Sequence, residues 1–329
     1  MIRQALERSW YRRQGAWLWL MPLSWLFGGI VALRRLAFRR GWLATTEFDV
    51  PVLVVGNITV GGSGKTPLTL ALIERLQQRG RRVGVVSRGY GGHADHYPCL
   101  VDAGTTADQV GDEPLMMARS SGAAVAVDPN RPRAAHWLIA QAQVDFILAD
   151  DGLQHYALAR DAEIAVVDAR RGLGNGWLLP AGPLREPATR LRNVDLSLAH
   201  GANADFWLRP GAARALASDS ERALGAFAYR RVHAVAGIGD PGRFFDMLRG
   251  LRIDVIEHPL PDHHRFIADD ICFADDLPVL MTSKDAIKCV GIADDRHWAV
   301  PVAVVFSATC EARVDALLDR LCGPATGTV

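Results

Sequence analysis

The chain has 329 residues, which at about 100–200 residues per domain predicts roughly two domains. With 49% apolar and 22% charged residues, its composition excludes disordered, collagen-like and low-complexity proteins. Lysine and arginine total 37 against 36 aspartate and glutamate, so the formal net charge of +1 gives no reason to expect a nucleic-acid partner. The five cysteines include no C-x-x-C pair, so we interpret them as reduced packing residues.

The first 40 residues predict a membrane-associating helical segment. No charged residue lies between Gln14 and Leu33, and five tryptophans fall in the first 42 residues, at positions 10, 17, 19, 25 and 42. Arginines flank this run on both sides, at positions 3, 8, 12 and 13 and at 34, 35, 39 and 40. A spanning helix normally carries its basic residues on one side, so we favour a helix lying in the cytoplasmic leaflet. A true span and a buried core helix remain the alternatives.

A phosphate-binding loop follows the first predicted strand. The apolar run 51–56 predicts a buried parallel strand, and a helical pattern covers 67–78 after the glycine-rich loop. This strand, loop and helix order is the context of a P-loop, in which backbone N–H groups contact phosphates, Lys65 reaches the β- and γ-phosphates and Thr66 ligates Mg²⁺. Thr59 replaces the first glycine of the usual pattern. The predicted nucleotide-binding residues are Thr59, Val60, Gly61, Gly62, Ser63, Gly64, Lys65 and Thr66.

Two absent motifs favour ATP over GTP as the nucleotide. A GTPase carries an N/T-K-x-D element, and the nearest string here, Thr282-Ser283-Lys284-Asp285, has the wrong spacing. A membrane switch of the ParA type places a second lysine just before Gly61, where this chain has Val60.

The predicted strand 144–150 ends in Asp150-Asp151-Gly152-Leu153-Gln154-His155. Ligands of open α/β sheets bind at the carboxyl ends of strands, and an acidic residue there is the usual P-loop partner for Mg²⁺. We therefore expect Asp150 or Asp151 to hold the metal. For His155, contact with a carboxylate or substrate and simple loop capping are equally consistent with the sequence.

Four further motifs have both a functional and a purely structural interpretation. Asp112 in Gly111-Asp112-Glu113-Pro114 is a catalytic candidate or a helix-capping acid. Arg88 and Tyr90 in the glycine-rich segment 87–92 contact a phosphate or sugar, or belong to a surface turn. The proline-rich segment 180–187 predicts an ordered loop at a substrate entrance. His263, in Pro261-Asp262-His263-His264, suits general-base work opposite an aspartate, although an incidental loop histidine has the same sequence.

Taken together, these motifs resemble the tetraacyldisaccharide 4′-kinase family of lipid A biosynthesis. Seven motifs carry the resemblance in the same order, starting at positions 56, 87, 111, 150, 182, 262 and 282, and it extends from the N-terminal segment to about residue 288. The resemblance implies transfer of the ATP γ-phosphate to the 4′-hydroxyl of tetraacyldisaccharide 1-phosphate, which gives lipid IVA at the cytoplasmic face of the bacterial inner membrane. The lipid substrate would explain a membrane-associating segment, and neither a nucleic acid nor an obligate protein partner is expected.

The resemblance also implies roles for individual residues. Asp112 and His263 would act as a pair at the acceptor hydroxyl, with His264 as the alternative histidine, and Lys65 would stabilise the transferred charge. The implied Mg²⁺ ligands are Thr66, Asp150, Asp151 and Glu186, and the predicted substrate-binding residues are Asn57, Arg88, Tyr90 and His155.

The alternation of strands and helices predicts an α/β fold of the P-loop NTPase type, with a doubly wound, mostly parallel sheet and a second, smaller α/β domain. We predict the membrane-associating segment over 1–40, an ATP-binding kinase domain over 41–200, a connector over 201–222 and a smaller domain over 223–329 that closes over the active site, with His263 facing Asp112 across the cleft. A rival hypothesis is a membrane-tethered ATPase switch without a lipid acceptor, which leaves Asp112, Glu186 and His263 without a role. A GTPase metal chaperone is disfavoured because the guanine motif and a C-x-x-C site are absent.

Overall fold

A computed structural model of the chain describes residues 9–11 and 18–323. The strands are β1 Val52–Gly56, β2 Val83–Ser87, β3 Cys99–Leu100, β4 Ala124–Val127, β5 Phe146–Asp150, β6 Ala162–Asp168, β7 Leu196–His200, β8 Phe206–Pro210, β9 Ala213–Ala215, β10 Glu221–Arg222, β11 Arg231–Ala236, β12 Asp254–Pro259, β13 Val279–Thr282, β14 His297–Val300 and β15 Val302–Phe306. The α-helices are α1 Met21–Arg39, α2 Lys65–Gln78, α3 Ala107–Val110, α4 Asp112–Ser121, α5 Arg131–Gln141, α6 Pro241–Gly250, α7 Ala268–Ile271, α8 Ser283–Cys289 and α9 Ala308–Cys322. Short 3₁₀ helices cover Leu18–Leu20, Ala188–Asn193 and Leu224–Phe227.

The chain folds into two compact units that are not contiguous in sequence. The first comprises Met1–Arg88, Ala123–Trp207 and Val305–Val329, and the second comprises Gly89–Gly122 and Leu208–Val304. The sequence predicted contiguous domains, with residues 89–122 inside the ATP-binding domain. In the structure that segment clusters with the C-terminal half of the chain.

The first unit contains a parallel sheet with the strand order β7-β6-β1-β5-β2-β4. From β1 the chain proceeds outward to β2 and β4 and then returns to β5, which lies between β1 and β2. It continues on the other side of β1 with β6 and β7, which is the doubly wound arrangement. Every residue of β1, β2 and β5 is buried, as expected for strands covered by helices on both faces. The prediction of a doubly wound, mostly parallel sheet is confirmed.

Helix α9, near the C-terminal end of the chain, belongs to this unit and pairs with α2. Arg75 and Arg79 of α2 form ion pairs with Glu311, Asp315 and Asp319 of α9 at 2.5–2.8 Å. Because these groups are partly exposed to solvent, we expect each pair to contribute at most about 1 kcal/mol.

The second unit contains a sheet with the order β10-β9-β14-β13-β11-β12. Its central strands β14, β13, β11 and β12 are parallel, and β9 and β10 add an antiparallel edge. Helix α6 covers one face through the buried side chains of Phe244, Phe245 and Leu248. A second α/β unit was predicted, although the predicted connector over 201–222 contains strands β8, β9 and β10.

The N-terminal helix exposes most of its apolar side chains. By length and composition, Leu18–Arg39 could cross a membrane, and it is almost entirely unburied. Ser24 is the one buried residue of α1, and its Oγ donates to Leu178 O at 2.7 Å. Trp19, Trp25 and Trp42 are exposed, whereas Trp10 is buried and donates from Nε1 to Pro180 O at 3.1 Å. The interfacial interpretation therefore does not extend to Trp10, and Trp17 with the arginines at positions 3, 8, 12 and 13 lies outside the described residues.

Candidate active site

The glycine-rich loop of the first unit joins β1 to α2. Strand β1 ends at Gly56 and α2 begins at Lys65. Gly61 and Gly64 adopt positive φ angles of 104° and 87°, which favour glycine. A Cβ at Gly64 would lie 2.6 Å from the His200 Nδ1 atom, so any side chain there would also collide with β7. The sequence therefore builds the bend that brings backbone N–H groups toward a bound phosphate.

The loop is held by its own polar groups and by the proline-rich segment 180–187. Asn57 is fully buried and donates from Nδ2 to Ser63 Oγ at 3.1 Å, so its side chain fixes the loop rather than facing solvent. Val60 N donates to Pro183 O at 2.8 Å, and Arg185 N donates to Ile58 O at 2.7 Å. The segment predicted to line a substrate entrance thus pairs with the backbone of the phosphate-binding loop.

Two acidic residues stand at the carboxyl end of β5. Asp150 is buried and accepts from Thr69 Oγ1 at 3.4 Å. Asp151 lies between two cations, with Oδ1 3.5 Å from Lys65 Nζ and Oδ2 2.8 Å from Arg185 Nη1. Burial by itself would raise the pKa of Asp151, but the charges of Lys65 and Arg185 outweigh it and hold the pKa far below its usual range. Asp151 is therefore ionised at every physiological pH.

The residues at this strand end fit Mg²⁺ and a polyphosphate. Asp151 Oδ1 is buried and accepts no hydrogen bond within the described residues. Carboxylate and hydroxyl oxygens are the ligands Mg²⁺ prefers, and the ion normally retains waters and phosphate oxygens beside one or two carboxylates. The described part of the chain has no cluster of three or more His, Cys, Asp or Glu side chains arranged for a metal.

Glu186 occupies a different environment from the aspartates. It is buried, accepts a hydrogen bond from the Tyr156 hydroxyl, and lies 3.2 Å from Arg190 Nε through Oε2. Burial, followed by the neighbouring Glu186 carboxylate, raises the pKa of Tyr156 to about 12. The carboxylate predicted as a metal ligand therefore already has a cation and a hydroxyl as partners.

His155 lies among arginines of the first unit. Burial, followed by the charges of Arg131, Arg160, Arg34 and Arg88, lowers its pKa to about 4, so the imidazole is neutral near pH 7. Its Nε2 is buried without a hydrogen bond inside the described region. A neutral imidazole among guanidinium groups is suited to contact an anionic ligand.

The acid–histidine pair predicted from the sequence forms in the second unit. His263 Nδ1 lies 3.2 Å from Asp112 Oδ2, although the two residues are 151 positions apart. His264 instead contacts Asp270 Oδ2 at 2.9 Å, so the geometry favours His263 as the partner of Asp112. Both members belong to one compact unit, which corrects the expectation that they face each other from two domains.

Two glycine motifs meet behind Asp112. Gly111 precedes α4 with a φ of 86°, and a Cβ there would lie 2.6 Å from Tyr90 O. A Cβ on Gly92 would lie 2.5 Å from Gly111 N. Only glycine permits this approach of the two backbones, and it brings the Tyr90 ring to 5.3 Å from the His263 ring.

Two lysines of α8 complete the surroundings of the pair. Lys288 Nζ lies 3.2 Å from Asp112 Oδ2, and Lys284 Nζ lies 3.1 Å from Asp262 Oδ1 and 3.6 Å from Glu113 Oε1. Burial would raise the pKa of Asp112, but the His263 hydrogen bond and then the charges of Lys288 and Lys284 lower it below its usual range. Asp112 is thus ionised near neutral pH.

Sequence reasoning gave no role to several residues of these two clusters. Arg185 and Lys288 lie inside motifs whose neighbouring residues, Glu186 and Lys284-Asp285, carry the recognisable pattern. Arg131 is buried at the start of α5, and its Nε donates no hydrogen bond to the described residues. The sequence gives little indication of a functional role for Arg131, because an Arg-Pro pair after a short strand is also an ordinary helix start.

Comparison with known proteins gives consistent results over nearly the whole chain. The family model described as Tetraacyldisaccharide-1-P 4′-kinase matches residues 16–319. Curated relatives named tetraacyldisaccharide 4′-kinase include one from Alkalilimnicola ehrlichii, 49% identical over 96% of this chain and 97% of its own, and one from Pseudomonas paraeruginosa, 48% identical over 97% and 98%. Among solved structures, the Aquifex aeolicus LpxK crystal structure in complex with ATP superimposes with a TM-score of 0.77 at 29% identity, covering 92% of this chain and 98% of that one.

Proposed function

Because this chain belongs to the tetraacyldisaccharide-1-P 4′-kinase family, we propose that its two units divide the reaction, the first binding ATP and the second activating the acceptor. The chain is an ATP-dependent kinase of lipid A biosynthesis that phosphorylates the 4′-hydroxyl of tetraacyldisaccharide 1-phosphate and so forms lipid IVA. The assignment of residues to steps is our proposal. The Asp112–His263 contact is the observation that carries it.

In the first unit, the backbone N–H groups of the glycine-rich loop and the N-terminus of α2 would bind the ATP phosphates. Lys65 would move its charge from Asp151 toward the β- and γ-phosphates. Thr66, Asp150 and Asp151 would hold Mg²⁺, which when bound neutralises charge on the phosphate oxygens. Glu186 would act from further away, since Tyr156 and Arg190 occupy its carboxylate.

In the second unit, the Asp112–His263 pair would accept the proton of the sugar hydroxyl. The contact between His263 Nδ1 and Asp112 Oδ2 holds the imidazole against the ionised carboxylate, and Nε2 lies 3.8 Å from Asp262 Oδ2. Phosphoryl transfer depends on position and charge more than on covalent chemistry, so a fixed base suffices. Arg88, Tyr90 and His155 would contact the sugar or its phosphate, and Tyr90 is well placed because its exposed ring stands beside His263. Closure of the units around both substrates stays a prediction.

We further propose that α1 docks the enzyme on the cytoplasmic face of the inner membrane. Exposed apolar side chains cover the helix, including Leu23, Trp25, Leu26, Ile30 and Leu33. Arg34, Arg35, Arg39 and Arg40 follow at its C-terminal end, where anionic headgroups would attract them. A four-chain lipid does not leave the bilayer, so the enzyme must reach it there.

Phosphate transfer from γ-labelled ATP to tetraacyldisaccharide 1-phosphate in mixed micelles tests the lipid kinase against the ATPase switch. The proposed function predicts a labelled lipid that forms with ATP and is lost in Asp112→Ala. ATP hydrolysis without a labelled lipid would instead support the tethered switch.

A further inference from the structure

Lysine is rare in this chain, and its positions are informative. Of the 37 basic residues only Lys65, Lys284 and Lys288 are lysines, and each contacts a carboxylate of the candidate active site. An ammonium group is a compact point charge, whereas a guanidinium group is a wide planar fork. At Lys284 and Lys288, a chain that otherwise uses arginine therefore has lysine where more than one acceptor converges on one point.

Lys288 occupies such a point. Its side chain is 8% exposed, and Nζ lies 3.2 Å from Asp112 Oδ2, 3.4 Å from Asp285 Oδ1 and 3.1 Å from the His264 carbonyl oxygen. Lys288 thus donates hydrogen bonds to Asp112 and to the His264 carbonyl, and it forms an ion pair with Asp285. Nζ also lies 5.0 Å from the centre of the Phe266 ring, which is within the range of a cation–π contact.

The three oxygens belong to three different parts of the second unit. Asp112 begins α4, Asp285 lies in α8, and the His264 carbonyl follows His263 directly in its loop. Asp285 is itself fixed, because it accepts from Gly237 N at 2.9 Å and from Thr282 Oγ1 at 2.6 Å. Lys288 therefore connects the carboxylate and the histidine loop to a rigid support.

We propose that Lys288 is a positioning residue that holds the Asp112 carboxylate and the His263 loop against each other. This inference rests on the proposed function of the Asp112–His263 pair. His263 and Lys288 both contact Oδ2 of Asp112, so Oδ1 is the carboxylate oxygen left to face an acceptor hydroxyl. Lys288 thereby selects which oxygen carries out the chemistry, without touching the substrate.

The charges around Asp112 give this role a pH signature. The charged and titratable groups that act on Asp112 are His263, Lys284 and Lys288. These three groups in turn contact the carboxylates of Glu113, Asp262 and Asp285. Lys288 is the cation in direct contact, and an opposite charge at such a distance lowers the pKa of a carboxyl group. Removing Lys288 raises the pKa of Asp112. When the solution is acidified, the variant therefore loses activity at a higher pH than wild type does.

The test compares Lys288→Met and Lys288→Arg with wild type in the labelled-lipid assay across pH. We expect Lys288→Met to lower kcat about 10–100-fold, as misplaced catalytic groups do, with the KM for ATP unchanged. The acidic limb of its pH–kcat profile should move up by about one pH unit. Lys288→Arg keeps the positive charge, so the acidic limb of its pH–kcat profile should coincide with that of wild type. Its kcat should lie between those of Lys288→Met and wild type. Arg231→Met, which removes an exposed ion pair with Asp254 in the same unit, is the control and should match wild type.

A double-mutant cycle separates positioning from general stability. If Lys288 acts through Asp112, Lys288→Met should add little to the loss caused by Asp112→Asn. Multiplied losses, or a Lys288→Met enzyme with the wild-type rate and acidic limb, would overturn the inference. If Lys288→Met does not melt cooperatively, Lys288→Gln takes its place in the same cycle. A wild-type enzyme that makes no labelled lipid would instead overturn the function on which the inference rests.

Discussion

At the scale of single residues, His155 offers a prediction that does not depend on the substrate. Its pKa falls from 6.5 in the unfolded chain to about 4 in the folded one, because burial and four arginines oppose its protonation. Between these values the unfolded chain binds a proton that the folded chain does not. Stability contributed by the neutral imidazole is therefore present above pH 6.5 and falls as the pH drops toward 4.

His155→Gln should remove this dependence. Wild type loses stability as the pH is lowered from 7.5 to 5.5, and the variant should lose less. The melting temperature of the variant minus that of wild type should therefore increase by about 1–3 °C over this change, as measured by thermal unfolding in detergent. His96→Gln, which changes an exposed histidine, serves as the control. An unchanged difference between His155→Gln and wild type over this range would contradict the assigned environment.

Two candidate site residues adopt a backbone conformation that no sequence pattern reveals. Asp151 and His263 have φ angles of 46° and 61°, in the left-handed region that costs a non-glycine residue about 1–2 kcal/mol. The sequence predicted both residues from their chemistry and motifs. It could not predict their conformation, because the surrounding fold imposes it.

At the scale of elements, the junction of the two glycine motifs sets the start of α4 and with it the position of Asp112. Gly111→Ala should be destabilising for two reasons, since φ is 86° and the new Cβ would lie 2.6 Å from Tyr90 O. Gly122, which ends the same helix, also has a positive φ, of 64°, but no atom lies within 4 Å of its Cβ position.

The two alanine variants therefore separate conformational strain from collision. We expect Gly122→Ala to lower the unfolding free energy by about 1 kcal/mol and Gly111→Ala by about 3 kcal/mol, measured by urea denaturation. Gly111→Ala should also reduce lipid phosphorylation. Equal losses of stability would show that Tyr90 does not approach Gly111 as described.

Helix α1 carries a prediction about membrane binding. Replacing the exposed Trp19 and Trp25 with serine should reduce sedimentation with anionic phospholipid vesicles about tenfold or more, because apolar area inserted into the interface is lost. Tyr229→Ser, which removes an exposed aromatic side chain of the second unit, should bind vesicles as wild type does. Undiminished binding by the double variant would contradict docking through α1.

The sequence predicted the elements that have a strong hydrophobic pattern and missed those whose pattern is weak. Strands β1, β2 and β5 are continuous apolar runs, and their buried faces follow directly from that composition. Strand β7, with the sequence Leu-Ser-Leu-Ala-His, is short and alternates between buried and partly exposed residues, and it went unpredicted. Helix α8 was missed as well, although the motif that forms it was noticed, because seven residues show too little periodicity.

At the scale of the whole molecule, the chain crosses between its two units several times. Residues 89–122 leave the first unit and carry Asp112 to the unit that holds His263 and Lys288. Pairing between residues more than 150 positions apart depends on tertiary packing and leaves no trace in local periodicity. The sequence therefore predicted the members of the pair through motif resemblance, whereas their placement in one unit had to come from the structure.

The central claim is that ATP binding and acceptor activation belong to different units. It is tested most directly by measuring ATP affinity and labelled-lipid formation together in Lys65→Ala and Asp112→Asn. We predict that Lys65→Ala loses both, whereas Asp112→Asn binds ATP like wild type and forms labelled lipid about 10²–10⁴-fold more slowly, the range expected for loss of a general base. Wild-type rates of lipid phosphorylation in Asp112→Asn, or loss of its ATP binding, would contradict the account.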